Sequence, residues 1–195
     1  DAYTDQFEIV TEADKALGFC LYNNIAVGAA YARSRGLSRV AIVDFDVHHG
    51  NGTQDLVWND PRIAFVSSHQ VPLYPGTGSA AESGGSGNIL NIPLPPGTGG
   101  AAFRQLWQDR ARPFLRGFEP RCLFVSAGFD AHRADPLGGL NLGTEDFAWV
   151  THLLCDLADA CAGGRIVSTL EGGYDLDALA ASAAAHVRVL MERGR

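Results

Sequence analysis

Apolar residues along this chain come in two rhythms. Val40-Ala41-Ile42-Val43, Ile63-Ala64-Phe65-Val66, Cys122-Leu123-Phe124-Val125 and Ile166-Val167 are short, largely β-branched runs that close in polar residues. Such uninterrupted runs predict strands buried on both faces. Between them the spacing turns helical. An Ala-rich segment runs from Asn23 or Asn24, either a fitting N-cap, to a stop at Gly36. Helices are also predicted through Gln54–Trp58, over Ala101–Phe118 with Pro113 kinking or dividing it, near 144–162, and in the Ala-rich tail. Residues 70–100 are rich in Gly, Pro and Ser, with a short strand expected within Asn88–Leu94, and loops this long are usually functional or disordered. Residues 1–17 carry little pattern. Strands alternating with helices predict an α/β domain with a mainly parallel sheet covered on both faces.

Ligands of such sheets bind beyond the carboxyl ends of the strands. Polar residues gather there each time: Asp46 and His48, Ser67 and His69, Asp130, and Tyr174. In an extended chain Asp44, Asp46 and His48 share one face. Buried carboxylates need a counter-charge, and no cation lies between Arg39 and Arg62, so a metal is favoured over a structural ion pair. Asp46, His48 and Asp130 supply two oxygens and one nitrogen, the donor set of a catalytic zinc ion with an open position. Gly172 and Gly173 let the backbone pass close to a ligand, so Tyr174 is either an oxyanion donor or a turn tyrosine capping the sheet.

Composition narrows the partners. Fifteen Lys and Arg stand against 22 Asp and Glu, a net charge of −7, which argues against nucleic acid or an anionic membrane and leaves room for a basic peptide or amine. Cys20, Cys122, Cys155 and Cys161 form no C-x-x-C pair and read as buried thiols in a reducing compartment, with the cytoplasm as the default. No run of about 18 apolar residues is present. The chain opens at Asp1 without methionine, and an upstream part is expected.

Five segments carry a family resemblance: Gly18-Phe19-Cys20-Leu21-Tyr22-Asn23-Asn24, Asp44-Phe45-Asp46-Val47-His48-His49-Gly50-Asn51-Gly52, Tyr74-Pro75-Gly76-Thr77-Gly78, Gly128-Phe129-Asp130 and Glu171-Gly172-Gly173-Tyr174. In this order they resemble the zinc-dependent histone deacetylases, in the flavour of class II and bacterial members and of acetylpolyamine amidohydrolases. The resemblance implies a three-layer arginase/deacetylase fold, with residues 1–195 forming one partial domain that lacks its N-terminal part. It implies hydrolysis of N-acetyl amides, with acetylated lysine peptides or acetylpolyamines as substrates. Zinc would sit on Asp46, His48 and Asp130, and Tyr174 would stabilise the oxyanion. Phe19 and Tyr74 match the tunnel walls, Gly172 the tunnel floor, and Leu137 a position that is acidic in a polyamine-selective member, so a neutral residue leans toward acetyl-lysine. Asp44, Asp46, His48, Ser67 and Ser68 match a monovalent-cation site, usually K+. Oligomeric state is left open.

One departure cuts against activity. The family's tandem histidines, counted back from Gly18, fall on Ile9 and Val10, which can neither take nor give a proton. His49 alternates away from His48 and reads as packing, while His69 is a weaker site candidate. His132 forms a second Asp-x-His with Asp130, as in a binuclear ureohydrolase, although Asp46-Val47-His48-His49-Gly50 lacks that enzyme's further aspartate. The competing readings are thus a deacetylase, a metal- and acyl-lysine-binding module without turnover, and a ureohydrolase relative.

Overall fold

The computed structural model describes residues 22–194. Asn23 caps the first helix as expected: its Oδ1 accepts from the Ala26 amide at 3.0 Å, and α1 runs Asn24–Ser34. Gly36, at φ 98°, turns the chain out of that helix into β1, Val40–Asp44. α2 (Asn51–Val57), β2 (Ile63–Gln70) and β3 (Ile89–Leu94) follow. Then come α3 (Gly100–Leu106), α4 (Arg112–Phe118), β4 (Leu123–Ala127), α5 (Thr144–Leu157), β5 (Ile166–Leu170) and α6 (Leu176–Arg193). The sheet is five-stranded, ordered β3-β2-β1-β4-β5, and every pairing is parallel.

The apolar runs explain the layering. Alternate residues of each inner strand face opposite ways, so a continuous apolar run fills both faces. Val40, Ile42, Phe65 and Phe124 pack under α1 and α2 with Ile25 and Ala29. Ala41, Val43, Val66, Leu123 and Val125 pack on the other side with Phe103, Trp107, Leu115, Phe147 and Leu154 from α3 to α5. This is the α/β, three-layer arrangement that the resemblance implied.

Two local differences from the sequence reading have physical causes. Pro113 was expected to interrupt the helix over 101–118. The break comes one turn earlier, at a π-helical turn over Trp107–Ala111, and α4 restarts with Pro113 in its first turn, where a missing N–H costs least. Second, β1 ends at Asp44, so Asp46 and His48 lie in the bends beyond it and not on a strand face. Their convergence is a property of the loop.

Candidate metal centre and oxyanion site

The strand order reverses between β1 and β4, which sit side by side although β2 and β3 intervene in sequence. A crevice forms at such a switch point beyond the carboxyl ends. Asp46 and His48 follow β1 there, Asp130 follows β4, and the loop with Tyr174 follows β5. Potential ligand atoms of Asp46, His48 and Asp130 all lie within 4.8 Å of one another, and among the described residues they make the one such group of His, Cys, Asp and Glu.

The loops are stitched so that each carboxylate keeps an oxygen for the site. Asp130 Oδ1 accepts from the Val47 amide at 2.8 Å, while its Oδ2 lies 3.1 Å from His48 Nδ1. Asp46 Oδ2 accepts from the Gly172 amide at 2.9 Å, and its Oδ1 lies 3.1 Å from the same imidazole nitrogen. The Phe129 amide bonds the Gly172 carbonyl at 2.7 Å, which ties the β5 loop to the β4 loop. Two glycines permit this closeness. A Cβ on Gly172 would run into the Asp130 and Asp46 carboxylates, and one on Gly128 would meet the Asp46 side chain and its Cα.

Charge is concentrated here. Asp44, Asp130 and Glu171 are all displaced upward in pKa, first by burial and then by neighbouring carboxylates; Glu171 reaches about 7. Burial opposes charge on His48, but hydrogen bonds to Asp130 and Asp46 outweigh it and lift the imidazole to about 10. No ion pair with Lys or Arg among the described residues reaches Asp44, Asp46, Asp130 or Glu171. Two carboxylates and an imidazole that hold a proton between them make a donor set a divalent cation fits, since the metal takes the proton's place.

The other predicted residues are distributed as follows. Tyr74 stands edge-on to His48, ring centroids 6.5 Å apart, and Leu137 is exposed at the rim. Phe19, Ile9 and Val10 lie outside the described residues. Asp44 pairs in register with Ser67, whereas the Ser68 hydroxyl accepts from Trp107 Nε1 at 3.2 Å. His49 is buried and meets Thr77 at 2.8 Å and Gln54 at 3.0 Å. His69, its ring tilted against His49 at a centroid distance of 4.6 Å, is bonded to the Ser67 hydroxyl and the Gly78 carbonyl, so both histidines hold the loop that carries Tyr74. His132 stacks on Phe147, and its Nδ1 accepts from the Ala134 amide, so nothing assembles around it as a second metal site.

Sequence reasoning gave no role to Glu171, which accepts from the Ser126 hydroxyl at 3.1 Å, or to Asp135. Asp135 precedes Pro136, a turn signal that predicts local bonding but not the cross-loop contacts it makes. A cavity of about 520 Å³ lies elsewhere, lined by Arg104, Arg133, Glu145 and Asp146 among others. Its two arginines are already paired with its two acids, and no member of the triad lines it, so the chemistry belongs at the strand ends.

The histone deacetylase domain matches residues 11–190. The chain belongs to that family. An uncharacterized protein of Synechocystis sp. is 48% identical over 176 residues, covering 90% of this chain and 56% of the relative. Histone deacetylase 10, chloroplastic, of Oryza sativa is 46% identical over 179 residues, covering 90% and 40%. Among solved structures, the HDA15 HD domain superposes with TM-score 0.85 at 38% identity, covering 94% of this chain and 53% of that one. An acetylpolyamine aminohydrolase from Burkholderia pseudomallei gives 0.84 at 36%, covering 92% and 52%. The chain thus spans about half the length of these relatives. No described helix is long and apolar enough to cross a membrane.

Proposed function

We propose that this chain carries the metal and oxyanion part of a zinc-dependent amidohydrolase that removes acetyl groups from lysine side chains. The observation that carries it is the triad at the switch point, with Asp46, His48 and Asp130 each offering one ligand atom. Bound there, zinc would supply Lewis acidity toward the amide carbonyl and toward water. The protein's own contribution is positioning. The tethered carboxylates keep His48 facing the site, Tyr174 donates its hydroxyl to the carbonyl oxygen as negative charge builds, and the Gly172 backbone forms the floor. Tyr74 walls the aliphatic stem, and Leu137, neutral at the rim, favours acetyl-lysine over an acetylpolyamine because it offers no charge to an ammonium group.

The same reading gives Asp44, the backbone oxygens of Asp46 and His48, and Ser67 with Ser68 to a monovalent cation, potassium by preference. Supporting it, Asp44 is buried beside Asp46 and Glu171 without a cationic side chain. A reducing compartment such as the cytoplasm suits the buried free thiols of Cys122 and Cys155.

Metal analysis of the purified chain tests the assignment. One zinc per chain is expected, with loss of most of it in Asp130→Ala. Stoichiometric zinc retained in that variant would show that the ligands lie elsewhere.

A further inference from the structure

Asp135 is buried at the foot of the rim loop, and none of its contacts is with the triad. Its Oδ2 accepts from the Tyr174 amide at 2.7 Å and from the Asp175 amide at 3.3 Å. Its Oδ1 accepts from the Leu137 amide at 2.9 Å. One carboxylate therefore joins three things: the rim residue, the backbone of the oxyanion tyrosine, and the residue that caps α6. Upstream, the loop is tied at Glu171 and Gly172, but Gly173 sits at φ 145°, a conformation that side-chain-bearing residues rarely adopt. Beyond that permissive glycine, the bonds to Asp135 fix the backbone of Tyr174 and Asp175.

We propose that Asp135 is a positioning residue: it latches the Tyr174 backbone to the loop following Asp130, so that metal ligand, rim and oxyanion donor move as one body. This rests on the reading of Tyr174 given above. A carboxylate suits the task because it is an acceptor on both oxygens and can serve the two sides at once. An asparagine of the same shape serves one side only, since its amide nitrogen cannot accept from an N–H.

Hydrogen exchange of the metal-loaded chain reads the latch directly. In Asp135→Ala the amides of Tyr174 and Asp175 should exchange at least about tenfold faster, the factor expected from losing a hydrogen bond to a charged acceptor, whereas in Asp135→Asn only the side facing the amide nitrogen, Leu137 or Tyr174 with Asp175, should do so. Amides of β1 and β4 should stay protected, which also reports that the variant is folded. The functional half is read by the affinity of acetohydroxamate, a small carbonyl-bearing zinc chelator, in a double-mutant cycle. Tyr174→Phe and Asp135→Ala should each weaken it, and Asp135→Ala should add less than twofold once Tyr174 is already Phe. Full additivity would overturn the positioning role, as would unchanged exchange at 174 and 175 in Asp135→Ala. An unchanged affinity in Tyr174→Phe alone would instead overturn the reading of Tyr174, and the exchange data would still decide whether the latch exists.

Discussion

His186 shows how much a single side chain can reveal about its protonation. Thr151 Oγ1 donates to the Phe147 carbonyl at 2.6 Å, so its lone pairs are what it presents to His186 Nδ1, 2.7 Å away. The imidazole therefore donates from Nδ1 and accepts at Nε2 from the Ser168 hydroxyl at 2.8 Å. Its ring packs against Phe45 and Phe129, and burial lowers its pKa to about 4. Since the folded value lies below the unfolded one of 6.5, the unfolded chain binds the proton first. The stabilisation is then complete above pH ~6.5 and is lost as pH falls toward ~4, amounting to at most about 3 kcal/mol. Urea unfolding between about pH 4.5 and 7 should show His186→Gln losing this rising component relative to the parent, the raised Asp130, Glu171 and His48 contributing slopes of the opposite sign equally to both proteins. Equal slopes would mean that His186 does not titrate with unfolding. His69, also lowered to about 4 by burial and then by His49, adds a slope of the same sign in both proteins.

At the scale of elements, α6 begins immediately after Tyr174, and Asp175 caps it by accepting from the Ala178 amide at 2.8 Å. Asp175→Ala should cost about 1 kcal/mol in urea unfolding, and Asp175→Asn should recover most of it. A variant as stable as the parent would mean that the first turn does not depend on its cap. Elements of this kind were readable in advance because their causes are local. Asn23, Gly36 and the unbroken apolar strands each declare an element through side-chain chemistry or periodicity. The convergence of Asp46, His48 and Asp130 was inferred from the general rule for parallel sheets and from the family motifs. The Asp135 latch could not be inferred in that way, because it joins residues some 40 positions apart through backbone amides, which leave no trace in residue type. The π-helical turn escaped for a related reason: Pro113 marks the strain, while the fully buried Trp107 lies where the helix absorbs it.

The molecule as a whole presents the Asp46, His48 and Asp130 cluster at the carboxyl edge of its parallel sheet. β5 ends the sheet among the described residues, and Val167 and Leu170 on its opposite faces are 49% and 60% exposed. The loop carrying Tyr174 leaves from this strand. Proton transfer is the expected deficit. Counted back from Gly18, the family's paired histidines are expected at Ile9 and Val10, while the family match itself covers residues 11–190. The ring nitrogens of His49, His69 and His186 are taken up by Thr77, Gln54, Ser67, Gly78, Thr151 and Ser168. General acid–base catalysis typically contributes ~10²–10⁴-fold, and the 195-residue chain should therefore hydrolyse an acetyl-lysine peptide slower than intact family members by at least that order. The measurement is turnover by the purified, zinc-loaded chain, with His69→Ala and His132→Ala alongside. Activity comparable with an intact deacetylase, lost in one of those variants, would mean that a histidine rearranges toward the metal and takes over the proton. Slow turnover left unchanged in both is the expected outcome.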